Sequence, residues 1–97
     1  MVKHIVIFEI KKDKNKDEVI KNLKSMLDGL PSKIREIKDY EIGINYADSP
    51  LAKDMVLIST FDTKEDLENY RVHPEHKKVV EYIKETVEAS YVVDYEV

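Results

Sequence analysis

Three histidines are the only side chains here whose ordinary pKa lies near neutrality, and two of them share one stretch, Asn69-Tyr70-Arg71-Val72-His73-Pro74-Glu75-His76. Pro74 has no backbone N–H and a fixed φ, which suits the first position of a helix. The residue before it is pushed out of the helical region. His73 is therefore expected at a helix entrance and His76 in the first turn. His76 also falls three and four residues before Val79 and Val80, on the inward face. A neutral imidazole held there suits a general base. Tyr70 follows Leu67 at helical spacing and has a polar tip at the same edge, and His4 sits on an otherwise apolar strand face.

Each of these residues also has a plainer structural role. His73 can satisfy free N–H groups at the helix start. His76 can pack against the same turn, His4 can be a hydrogen-bonded core residue, and Tyr70 can fill a cleft edge. Three histidines could make an open zinc site, but no accompanying carboxylate or histidine pattern supports one, and neither metal nor cofactor is expected.

The elements that must position these groups follow from periodicity. Val2 to Ile10 alternates as a strand, with Val2, His4, Val6, Phe8 and Ile10 on one face and Lys3, Ile5, Ile7 and Glu9 on the other. Both faces are apolar near the middle, so cover on both sides is expected. Asn15 or Asp17 is placed to cap a helix whose stripe is Val19, Ile20, Leu23, Met26, Leu27 and Leu30, ended by Gly29 and Pro31. Ile37 to Tyr46 reads as a second strand with a kink at Gly43, and Met55 to Phe61 as a third. Thr63 caps a short helix. The helix opened by Pro74 carries the stripe Val79, Val80, Ile83 and Val87, and Tyr91 to Val97 is a last strand.

The order is βαββαβ with the second helical segment broken at Pro74. This predicts an α+β, ferredoxin-like fold with a four-stranded antiparallel sheet and helices on one face. The helix-free face would then expose Ile5 and Ile7. A second copy of the same sheet is the simplest cover, so the expected partner is the chain itself, as a homodimer through that face.

The bulk composition agrees with one domain over residues 1–97. A net charge of −4 argues against nucleic acid, and Lys11, Lys12, Lys14 and Lys16 read as a solvated loop. The absence of cysteine excludes disulfides and thiol catalysis. No apolar run matches a signal peptide or a membrane span, and a cytoplasmic location is expected.

On these residues the chain resembles the stress-responsive dimeric α/β-barrel family, Dabb. The likeness runs from Val2-Lys3-His4-Ile5-Val6 through Ser59-Thr60-Phe61 to Tyr70 and His73-Pro74-Glu75-His76, and closes at Val93-Asp94-Tyr95. The early Lys-His and the His-Pro-x-His helix start carry it together. The resemblance implies a homodimer whose sheets pack face to face into a dimeric α/β barrel, with a cleft between sheet and helices in each subunit. A plant branch of that family closes polyketide chains by aldol condensation. By that likeness His76 would be the base, Tyr70 would hydrogen-bond the substrate, and His4 would line the cleft. His73, Val6, Phe8 and Leu23 would line the pocket or complete the core. The cyclase branch has aromatic residues on its first helix, whereas the stripe here has none. Three functions compete: a small-molecule enzyme or binder, a non-catalytic stress-related oligomer, and a cofactor-independent monooxygenase.

Overall fold

The computed structural model describes residues 1–97. In chain order the elements are β1 (Val2–Ile10), α1 (Lys16–Asp28), β2 (Asp39–Ile44), β3 (Met55–Phe61), α2 (Lys64–Val72), α3 (Pro74–Thr86) and β4 (Val87–Glu96). Local chemistry sets each helix start. Asn15 Oδ1 accepts from the Glu18 N–H, and Thr63 Oγ1 accepts from the Asp66 N–H, so each caps a first turn that is itself acidic. Pro74 opens α3 as expected, with His73 as its N-cap.

The strands form one antiparallel sheet in the order β2-β3-β1-β4. All three helices cover one face. The core between sheet and helices joins Val6, Phe8 and Ile10 of β1 to Val19, Leu23 and Leu27 of α1, with Leu57 and Phe61 of β3 and Val79 of α3. Leu23 is fully buried. Leu30 lies beyond the end of α1 but remains in this core.

This corrects the expected barrel. The ferredoxin-like fold and the antiparallel sheet are present, but the sheet is open: β2 and β4 are its two edges, and nothing pairs with their outer sides. Four strands, each turned by roughly 20–25° from the next, twist without curling far enough to meet.

Three boundaries also differ. β2 begins at Asp39, because Ile37 is still in a turn bonded to the Ile34 carbonyl, and it ends at Ile44. β4 begins at Val87, which is both the C-cap of α3 and the first strand residue, so Val87 leaves the helical stripe. Gly43 makes no kink: its register against Val56 is continuous. The glycine is needed because a Cβ there would lie 2.9 Å from Val56 Cγ1.

Strand alternation places Lys3, Ile5, Ile7 and Glu9 of β1 on the helix-free face. Their partners there are Val56, Ile58 and Thr60 of β3, Asp39, Glu41 and Gly43 of β2, and Ala89, Tyr91, Val93 and Tyr95 of β4. The apolar centre of this face has no cover within the chain, so the expectation that β1 is covered on both sides fails for a single copy; Val93 is 60% exposed. No helix is long and apolar enough to cross a membrane.

Candidate functional site

The β1–β4 register sets His4 directly opposite Asp94, on the helix-covered face. The His4 ring is buried and its Nδ1 bonds Asp94 Oδ1. The second oxygen, Oδ2, accepts from the Arg71 guanidinium at 2.6 Å. Arg71 stands in the last turn of α2, so one carboxylate ties a buried histidine to the end of a helix. A carboxylate held by a cation accepts from the ring. Nδ1 of His4 therefore carries the proton that Asp94 accepts.

Tyr70 lies at the centre of the cluster and is fully buried. Its ring packs edge-on to His4, with centroids 6.1 Å apart, and tilted against Phe61 at 5.2 Å. On its other side the His76 ring sits 4.3 Å away. The Tyr70 hydroxyl meets the Tyr40 hydroxyl of β2 at 2.8 Å. Burial pushes the Tyr70 phenol up to about 12. Tyr40 is raised further still, first by burial and then by the neighbouring Tyr70. Both phenols are therefore neutral over the physiological range, and each hydroxyl has the other as a partner.

His76 is half-buried in the first turn of α3, its ring against Tyr70. Its Nδ1 lies 3.1 Å from the Arg71 carbonyl. A carbonyl only accepts, so Nδ1 carries the proton and Nε2 holds the lone pair. Burial lowers the His76 pKa below its ordinary value. The Arg71 carbonyl pulls the other way, while His4, Arg71 and His73 nearby add to the lowering. The ring is thus neutral at pH 7, with one nitrogen available as an acceptor. His73 takes the plainer role: its Nδ1 accepts from the Glu75 N–H at 3.1 Å and caps α3.

The structure thus gathers His4, Tyr70 and His76 around one point, while His73 faces the helix start. Val6, Phe8 and Leu23 are core residues, buried between sheet and helices. Three members of the cluster were not singled out as site residues from the sequence: Asp94, Arg71 and Tyr40. Asp94 stood in the closing Val93-Asp94-Tyr95 run, and strand alternation alone puts it on the opposite face from Tyr95. Its pairing with His4 needed the strand register. No group of three or more histidine, cysteine or carboxylate side chains is arranged to hold a metal.

The five principal surface concavities leave His4, Tyr70 and His76 unlined. One of about 360 Å³, between α2 and the β4 edge, reaches Arg71 and Asp94.

Known proteins share the fold of this chain. The family model for the stress responsive A/B barrel domain matches residues 2–97. A crystal structure of a dimeric protein of unknown function and ferredoxin-like fold from Bacteroides fragilis is 36% identical, with a TM-score of 0.87; the match covers 99% of this chain and 95% of that one. An uncharacterised protein of Streptomyces coelicolor is 29% identical over 99 residues, covering 99% of both chains. The hydroxynitrile lyase of Passiflora edulis superposes with a TM-score of 0.86 at 20% identity, over 99% of this chain and 92% of that one, and at that identity the likeness is one of fold.

Proposed function

The chain belongs to the stress responsive A/B barrel domain family, and from that premise we propose that it is a homodimer that binds a small carbonyl-bearing or phenolic molecule beside the α2–α3 junction, with neutral His76 as proton acceptor. The observation that carries this reading is the state of the His76 ring. Its Nδ1–H is committed to the Arg71 carbonyl and burial disfavours its charged form, so Nε2 is left as a base. A group so placed can remove a proton from a carbon next to a carbonyl, or from a phenol. His4, locked to Asp94 and packed edge-on to Tyr70, fixes the opposite side of the cluster. Tyr70 orients the cluster, its hydroxyl shared with Tyr40.

The homodimer rests on the apolar helix-free face and on the Bacteroides relative, which is dimeric. The concavity that reaches Arg71 and Asp94 supports an approach for the ligand from the β4 edge.

A second reading has its own observation. Tyr70 is fully enclosed, and the principal concavities leave His76 unlined. A non-catalytic oligomer in which the cluster closes the core accounts for that as well. A thermal-shift screen of small phenolic and polyketide-like probes on wild type and His76→Ala separates the two. Under the binding reading at least one probe raises the wild-type melting temperature by mass action and shifts the variant less. Where that probe is also turned over, His76→Ala loses roughly 10²–10⁴-fold in rate. If no probe shifts the wild type and the variant is only less stable, the oligomer reading stands.

A further inference from the structure

The connection between β2 and β3, residues 45–54, is a shaped arm. The Asn45 side chain bonds Ala47 in both directions, donating to its carbonyl at 2.7 Å and accepting from its N–H at 3.1 Å. Ser49 Oγ accepts from the Leu51 N–H. At the far end Asp54 is pinned to β1: its N–H donates to the Phe8 carbonyl, and its carboxylate accepts from the Ile10 N–H at 2.7 Å. A connection held this closely spends its order on presenting two large apolar side chains to water, Tyr46 at 99% exposure and Leu51 at 88%.

Beside the arm lies a concavity of about 300 Å³, walled by Tyr46 and Lys53 and continuous with Ile7 and Val56 of the helix-free face. Gly43 lines it too. The space a Cβ would take at Gly43 is already filled by Val56 Cγ1, so Gly43 gives the concavity a backbone wall. Lys53 also leans over the Tyr91 ring, 5.5 Å from its centroid, which joins the arm to the β4 side of the same face.

The face alone is small for its task. Its strand positions fall short of the roughly 20–30 residues a side that a standard interface uses, and Asp39, Glu41, Lys3 and Glu9 at its margins are charged. We infer that residues 45–54 form an arm that clasps a second copy of this chain, with an apolar side chain of that copy seated in the concavity between Tyr46, Lys53 and Ile7. This rests on the homodimer reading above and adds surface to it: the arm extends the contact beyond the sheet edge at β2 and supplies both a socket and projecting apolar groups. In a two-fold pair each copy would give and receive the same contact.

The test is a Tyr46→Ser/Leu51→Ser double variant. Both side chains are solvent-exposed in the single chain, so its folded state loses little. Sedimentation velocity over a dilution series reads the dimer dissociation constant, and circular dichroism confirms the fold. The expected result is a dissociation constant weakened at least tenfold with an unchanged spectrum. A value within twofold of a dimeric wild type overturns the arm and leaves the dimer standing. A wild type that is monomeric at micromolar concentration overturns both. Should the double variant lose its fold, Leu51→Ser alone carries the same comparison with a smaller expected loss.

Discussion

Asp94 uses its two oxygens on two different elements, one on His4 and one on Arg71, while Arg71 lends its own carbonyl to His76. One arginine thus fixes the tautomer of one histidine through its backbone and steers the partner of the other through its side chain. The charge state of His76 gives a pH prediction. Its pKa is lowered in the folded chain, while the unfolded chain has the ordinary value near ~6.5. As pH falls through that region the unfolded state takes up its proton first. The stability that comes from a neutral His76 is therefore complete above about 6.5 and is lost as pH falls through the folded-state pKa. Melting temperature should drop over that window in wild type, and the drop should shrink in His76→Gln. A profile identical in the two proteins would remove His76 as the group responsible. His76 and Tyr70 were legible as neighbours because helical spacing and Pro74 fix their order. Asp94 and Arg71 were not, since their roles come from pairing across the fold.

Gly43 shows at the scale of the element how a correctly placed strand residue can carry a wrong reason. A glycine inside a strand suggested a kink; the ladder runs through it without a break in register, and the glycine answers to Val56 across it. Gly43→Ala should cost about 1–3 kcal/mol by overpacking, and Val56→Ala in the same chain should recover most of that loss. Chemical denaturation of the two single variants and the double variant measures it. If Gly43→Ala is as stable as wild type, the close approach is not what the glycine serves. The other elements divide in the same way. β1, β3 and all three helix starts could be read from alternation, caps and proline, which are local signals. The start of β4 could not. Val87 follows Ile83 at helical spacing and so joins the stripe of α3, yet pairing with Ile10 draws it into the sheet. Helix and strand meet there without a loop, and only the partner strand decides which wins.

Over the whole molecule, the layer order and the bare apolar face could be read from the element sequence, but closure could not. The barrel came from resemblance, whereas an open sheet with two free edges follows from the count of strands. If the helix-free face is covered by a second copy, the wild-type melting temperature should rise with protein concentration. Val93→Asp, which places a charge on the exposed β4 side of that face beside Ile5, should weaken or abolish the dependence. Calorimetry over a hundredfold concentration range decides it, and a wild-type midpoint independent of concentration would count against the dimer.

The position of β1 has one further consequence. It is an inner strand whose neighbours are β3 and β4, so its first contacts join residues far apart in the chain: Ser59 bonds the His4 carbonyl across 55 residues, and Asp94 meets His4 across 90. During synthesis β1 precedes both neighbours, so one of its hydrogen-bonding edges stays open until β3 has followed and the other until β4 has. Such long closures slow folding relative to a helical bundle of the same size, and leave the nascent Val2–Ile10 segment, rich in valine and isoleucine, exposed for longer than the helices.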